Sequence, residues 1–312
     1  MPLSPLNRKE FVVFLAATLL LMVGLISCDP RLPQRDVQGH RGARAVWPEN
    51  SLQAFVFAAE VGATTLELDV VVTAEGAVVV SHEPWLNPTI CSGPEGESLG
   101  PESRVSLYTM PLATLQRCDC GSLGNPRFPR QQRVPAFKPT LQQVVDAVNG
   151  CRRPSVRYNI EIKHEQDWVG VHAPEAEVAV ERVLAAVAAA GIAERTTLQS
   201  FSAAVLERVH AAAAGVRTAW LMEEERGVEE ALALLSFKPD IYSPHHVLLS
   251  PEEVERAHAL GVQVVPWTVN EAERMAELWT WGVDGVISDD PELALEVAAQ
   301  TPLPTLDAGI SY

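Results

Sequence analysis

Positive charge is short in this 312-residue sequence: 24 lysines and arginines stand against 40 aspartates and glutamates, a formal net charge of −16. No window gathers the basic residues into a stripe. Proteins that hold nucleic acid draw their affinity from Lys and Arg neutralising phosphates, so nucleic acid is excluded as a partner. The same deficit argues against adhesion to anionic lipid by charge. Long apolar runs are missing too. The most apolar stretch, residues 11–26, holds no charge but falls short of the ~18 to 20 residues that a spanning helix needs. There is no low-complexity tract. The five cysteines have no histidine at a familiar zinc-ligand spacing, which argues against a zinc cluster.

What the N-terminus does carry is Arg8 and Lys9 ahead of the apolar stretch, and Leu25-Ile26-Ser27-Cys28 at its end. A basic start, a medium apolar run and a small residue before the cut describe a secretory signal peptide. The cysteine makes it the bacterial lipoprotein type, with Cys28 as the lipidated residue. The expected organisation is a signal peptide over 1–27, the lipidated cysteine and a linker over 28–35, and one domain over 36–312. That domain would be held by a lipid anchor in the bacterial cell envelope, facing the periplasm or exterior; an uncleaved anchor would place it on the same side. Four cysteines then remain in an oxidising compartment, Cys91, Cys118, Cys120 and Cys151. Cys118 and Cys120 are too close in sequence to bridge each other comfortably. The expected pattern joins Cys91 and Cys151 each to one of that pair, and buried free thiols are the alternative.

Along the domain, short apolar runs alternate with helical stretches. Strand-like runs fall at 37–40, 65–72, 77–82, 156–163, 196–200, 217–222, 240–243, 262–267 and 285–288. Helical stretches fall at 51–62, 174–190, 202–214, 227–235, 251–260, 271–281 and 291–299. Strands alternating with helices imply βαβ units and a parallel sheet, and about eight repeats close most simply into a (β/α)8 TIM barrel. One junction breaks the rule. Only Thr73-Ala74-Glu75-Gly76 separates the second and third runs, far too little for a parallel crossover, so these two strands form an extra hairpin. An irregular insertion, 83–139, follows it, rich in Pro, Gly and polar residues and holding three of the cysteines. Loops of that length tend to be functional.

Acidic and histidine positions fall where barrel strands end, the face on which such barrels place their sites. His40, Arg41 and Gly42 close the first strand. Glu67 and Asp69 share one face of the second, because side chains alternate with period two, and Glu161 and Lys163 do the same on the strand after the insertion. A hairpin turning near Glu75 brings His82 opposite Leu68, beside both acids. Three carboxylates converging in an apolar barrel repel unless a cation holds them ionised. Oxygen-only ligands suit Mg²⁺ or Ca²⁺ rather than zinc.

The segments HRGARAVWPENSLQAF, LELDVVVTAEGAVVVSHE, NIEIK, LQSF, PWTVN and GVDGVISDDP, in this order from Gly39 to Pro291, resemble the successive motifs of the glycerophosphodiester phosphodiesterase family. Residues 120–140 resemble the insertion of its periplasmic members. The resemblance implies hydrolysis of small glycerophosphodiesters to sn-glycerol 3-phosphate and an alcohol. It implies one divalent cation, Ca²⁺ or Mg²⁺, on Glu67, Asp69 and Glu161, with His40 and His82 as general acid and base. Arg41 and Lys163 would hold the phosphate, Trp267 would pack against the glycerol, and Glu49 and Asn50 would surround them. Two positions depart from the family pattern: Glu83 stands where an Asp is usual, and Ser51 replaces a Thr while keeping a hydroxyl that can cap the next helix. Two alternatives stand beside this reading. One is a related phospholipase D-like enzyme acting on intact or lyso lipids; the other is a non-catalytic lipoprotein that binds head groups.

Overall fold

β-Branched and apolar runs become strands covered on both faces, as a parallel sheet under helices requires; β2 is buried along its whole length. The computed structural model describes residues 35–151 and 155–302. The expected signal peptide, Cys28 and nearly all of the linker lie outside the described residues. The strands are β1 (Asp36–Gly39), β2 (Thr65–Val72), β3 (Val78–Val80), β4 (Arg157–Ile162), β5 (Thr196–Ser200), β6 (Arg217–Met222), β7 (Ile241–Pro244), β8 (Gln263–Val264) and β9 (Gly285–Ser288). Eight of them run parallel in the order β8-β7-β6-β5-β4-β2-β1-β9. Single backbone bonds join the two ends: Asp284 N donates to Val264 O at 2.9 Å, Ile287 N to Pro266 O at 3.0 Å, and Val269 N to Ile287 O at 2.9 Å. With helices between the strands, this is the expected (β/α)8 barrel.

The ninth strand, β3, is the expected hairpin partner. It pairs antiparallel with β2 in the register Val70↔Val80, Val71↔Val79 and Val72↔Val78. Continued by two residues, that register sets position 82 opposite Leu68.

The helices are α1 (Leu52–Val61), α2 (Leu112–Leu115), α3 (Leu141–Asn149), α4 (Ala176–Ala189), α5 (Ala203–Ala212), α6 (Val228–Leu232), α7 (Pro251–Ala259), α8 (Ala272–Thr280) and α9 (Pro291–Gln300). Ser51 Oγ caps α1 by accepting from Ala54 N at 3.2 Å. α3 is absent from the sequence reading. It starts in a capping box, with Thr140 Oγ1 accepting from Gln143 N and the Gln143 side chain reaching back to Thr140 N. The expected strand 262–267 is shorter than read: the regular strand is Gln263–Val264, and Trp267 adds only an isolated parallel bridge to His245, because Pro266 between them has no N–H to give a ladder.

The insertion 83–139 contains only one short helix, α2. Its order comes from a small apolar cluster, in which Leu86, Ile90, Leu107 and Leu115 pack with Cys91, Cys118 and Cys120 against Val71 and Val79 of the hairpin. One disulfide joins Cys91 to Cys120. The second expected bridge does not form: Cys118 and Cys151 are both free thiols. The physical reason is α3. Its nine residues rise about 13 Å and set Cys151 just past their C-terminal end, where its Sγ donates to Ala147 O at 3.6 Å, while Cys118 Sγ donates to Thr114 O at 3.8 Å. The insertion is fastened on two sides. Gln132 N donates to Val46 O at 2.7 Å and Gln131 Nε2 to Arg44 O at 2.8 Å. On the other flank Ser106 Oγ donates to Val171 O at 2.8 Å, and the Trp85 ring meets Trp168 edge-on at 5.9 Å.

Candidate active site

Strand pairing sets the acidic residues side by side: Asp69 lies across from Glu161 in the β2–β4 register. The result is a cleft, partly open to solvent, lined by His40, Arg41, Glu67, Asp69, His82, Glu161 and Trp267. Seven expected site residues therefore share one wall-to-wall space. Gln199, Phe201, Leu221 and Ile287 complete the lining. The other three expected residues sit immediately behind it. Lys163 Nζ is 2.9 Å from Glu161 Oε1, Glu49 Oε1 accepts from Arg41 Nη1 at 2.8 Å, and Asn50 Nδ2 donates to Asp69 Oδ2 at 2.8 Å.

The loop that delivers Arg41 is strained. Arg41 has φ 49° and Asn50 φ 56°, a region non-glycine residues seldom occupy. The strain turns Arg41 N onto Glu67 Oε2 at 2.9 Å, and Asn50 N closes the loop on Arg41 O at 3.0 Å. Gly42, at φ 85°, has no alternative, since a Cβ there would meet the α1 backbone at Ala54 C at 2.6 Å.

Glu67, Asp69 and Glu161 each offer a carboxylate oxygen, and these lie within 4.8 Å of one another. Burial, reinforced by the charge of Asp69, pushes Glu67 well above the ordinary carboxylate range. Burial also raises Glu161, with Lys163 opposing it. Asp69 goes the other way: burial resists its charge, but His82, Arg41 and Lys163 hold it below its usual value. Three hard oxygen donors at this spacing could hold a Ca²⁺ or Mg²⁺ ion. Arg41 is held charged, against its burial, by Glu49 and Asp69. Its Nε is buried without a hydrogen-bond acceptor.

Each histidine has a carboxylate on its Nδ1. His40 Nδ1 is 2.6 Å from Asp289 Oδ1, and His82 Nδ1 is 3.1 Å from Glu83 Oε1. Asp289 is itself gripped by Arg44, whose Nε and Nη2 donate at 2.8 and 3.1 Å, and by Asn270 Nδ2 at 2.8 Å. Burial, and then the Arg44 charge, lower His40 to about 4 although Asp289 pulls upward. Glu83 falls to about 2 despite its burial, because His82 hydrogen-bonds to it. The longer Glu83 therefore still reaches the imidazole.

Asp289, Arg44, Asn270, Gln199 and Phe201 escaped the sequence reading as site residues. All five lie inside the motifs that carry the family resemblance, which was the available signal. Trp267 is fixed by its Nε1, donating to Ser243 O at 2.9 Å, and its ring meets Phe201 edge-on at 5.3 Å.

Comparison with known proteins agrees with this arrangement. Residues 40–293 match the glycerophosphoryl diester phosphodiesterase family. A glycerophosphodiester phosphodiesterase of Caldanaerobacter subterraneus subsp. tengcongensis is 30% identical over 263 residues, covering 84% of this chain and 96% of its own. One from Bacillus subtilis is 28% identical over 261 residues, covering 81% and 83%. A solved structure from Silicibacter pomeroyi, assigned as a candidate glycerophosphoryl diester phosphodiesterase, superposes with a TM-score of 0.77 at 29% identity, covering 86% and 95%. A phosphodiesterase of Oleispira antarctica, solved with its product sn-glycerol-3-phosphate, has a TM-score of 0.67 over 85% and 96% of the two chains. At 20% identity that likeness shows the fold alone. The chain belongs to the glycerophosphoryl diester phosphodiesterase family, whose members are phosphoric diester hydrolases.

Proposed function

We propose that this chain hydrolyses small glycerophosphodiesters to sn-glycerol 3-phosphate and an alcohol, with a Ca²⁺ or Mg²⁺ ion held by Glu67, Asp69 and Glu161. The observation that carries the reading is the pair of histidines lining one cleft together with the three acids. Both have Nδ1 occupied by a carboxylate, which leaves Nε2 of each for the substrate. The same fold in the Oleispira protein was solved with sn-glycerol-3-phosphate as its product, which is the product proposed here.

A bound divalent cation would neutralise charge on the phosphoryl oxygens. The chain's own residues do the rest. Arg41 Nε and Lys163 hold the phosphate's remaining charge. His40, low enough to be neutral at ordinary pH, takes the proton from the attacking hydroxyl at Nε2. His82, its Nδ1–H fixed by Glu83, gives a proton from Nε2 to the departing alkoxide. Trp267 packs against the glycerol.

Hydrolysis of glycerophosphocholine by the purified chain, with and without a chelator, tests this. Activity should vanish on chelation and return with added Ca²⁺ or Mg²⁺. Full activity after exhaustive chelation removes the metal from the reading, and turnover of lysolipids in place of glycerophosphocholine selects the phospholipase D-like alternative. We also propose that Cys28 anchors the enzyme by lipid in the cell envelope. Mass spectrometry of the mature N-terminus should show diacylated Cys28; an ordinary cut without lipid overturns the anchor.

A further inference from the structure

Beneath the acidic cluster, the barrel interior holds three buried amide side chains in a row, Gln199, Asn159 and Gln38, each 1% exposed. The row runs between two carboxylates. At the top, Gln199 Nε2 donates to Glu67 Oε1 at 2.8 Å. Asn159 Nδ2 donates in both directions, to Gln199 Oε1 at 3.0 Å and to Gln38 Oε1 at 2.8 Å. At the bottom, Gln38 Nε2 donates to Asp36 Oδ2 at 2.8 Å. Asp36 is in turn fixed by Thr64 and Thr65 Oγ1, at 2.6 and 2.7 Å, and by Arg157 Nη2 at 2.9 Å.

The direction of every bond in this row follows from its ends. Glu67 acting as a cation ligand only accepts, and Asp36, on which two hydroxyls and a guanidinium converge, accepts as well, so each glutamine must turn its NH₂ outward and its carbonyl inward. The central residue then faces two carbonyl oxygens and must supply two N–H groups, which an asparagine amide does. Reversing any one amide would set acceptor against acceptor. The cost of this arrangement is visible: Asn159 Oδ1 is buried without a partner, and an acceptor taken out of water without one destabilises the fold. A satisfied apolar floor would avoid that cost, so the row is retained against stability.

We propose that Gln38, Asn159 and Gln199 form a polarised amide relay whose task is to hold Glu67 in the orientation of a cation ligand. The inference rests on the metal reading above. Gln199 occupies Glu67 Oε1 from below, while Arg41 N occupies Oε2 from the side at 2.9 Å. The carboxylate is thus locked before any ion arrives, and ligands locked in this way typically bind 10–100-fold more tightly than unsupported ones. These residues are positioning residues, since only Gln199 touches a ligand.

Calorimetric titration of the purified full-length chain with Ca²⁺ and with Mg²⁺ tests the relay. Gln199→Leu and the near-isosteric Gln199→Glu should each weaken cation binding by ~10–100-fold. Asn159→Asp keeps the shape but loses the two donors, and it should weaken binding too although it touches no ligand. Raising the cation concentration should restore turnover in all three, which a loss of fold would not allow. If wild type binds and Asn159→Asp binds equally well, the relay is refuted while the metal site stands. If wild type takes up no divalent ion, the metal reading fails first and the relay's role with it. Should Asn159→Asp not fold, Gln199→Glu decides: unchanged affinity there overturns the inference.

Discussion

At the scale of the residue, the two histidines differ in what surrounds them, and the base role proposed for His40 draws on that difference. His40 is buried between Asp289 and two arginines, and the balance leaves it neutral with a value near 4. A base with a lowered value stays competent as pH falls, so the acid limb of kcat/KM should lie below 6.5, the ordinary value of a histidine. Arg44 is, after burial, the largest influence lowering His40. Arg44→Gln should therefore raise the His40 value and move the acid limb toward higher pH. A pH–rate profile reads this directly, and an unmoved limb would detach His40 from the base role. His40→Ala and His82→Ala should each lower turnover by ~10²–10⁴-fold with unchanged thermal melting. Near-wild-type turnover in either variant returns that histidine to a structural part. Much of this was legible in the residues. Period-two spacing picks out Glu67 with Asp69 and Glu161 with Lys163, and hairpin arithmetic sets His82 beside them. Asp289 was not legible by the same logic, because it lies 249 positions from His40 and meets it only where β9 closes on β1. No local periodicity spans that seam.

At the scale of the element, the insertion shows how an irregular segment becomes ordered without strands or long helices. Its apolar cluster and the Cys91–Cys120 bridge do what secondary structure does elsewhere. Peptide mapping under non-reducing conditions should recover Cys91 joined to Cys120, with Cys118 and Cys151 alkylatable after unfolding. Cys91→Ser should cost about 2–4 kcal/mol of stability, read from denaturant melts; a loss near zero would mean the cluster alone suffices. Composition predicted the irregularity, but it concealed α3, which begins two residues after the Pro-rich stretch ends. The signal was present, since Leu141, Val144, Val145 and Val148 repeat at helical spacing behind Thr140 and are all buried. The disulfide error follows from that omission: without α3, Cys151 reads as a neighbour of the insertion.

At the scale of the whole molecule, the barrel's weakest closure is the seam between β8 and β9, which has single bonds where other neighbours have ladders. Asp284 holds much of it. Its Oδ2 accepts from Val264 N at 2.7 Å and from His258 Nε2 on α7 at 2.9 Å, so one carboxylate ties a strand, a helix and the start of β9 together. The sequence implied closure by counting repeats, but not where it is thin, because a two-residue strand looks no different from a six-residue one in an apolar run. The hydrogen bond to Asp284 raises His258 above its ordinary value, burial opposing. A group whose folded value is raised contributes stability that is fully present below its unfolded value, here near 6.5, and loses it as pH rises through the folded value. Wild type should therefore exceed His258→Gln in Tm at pH 5.5, and the gap should close by pH 9. The His258 side chain is 41% exposed, so solvent screening keeps the gap to a fraction of about 1 kcal/mol. A gap that stays constant across this range would show that His258 supports the seam by packing alone, and that the charge on Asp284 closes the barrel without it.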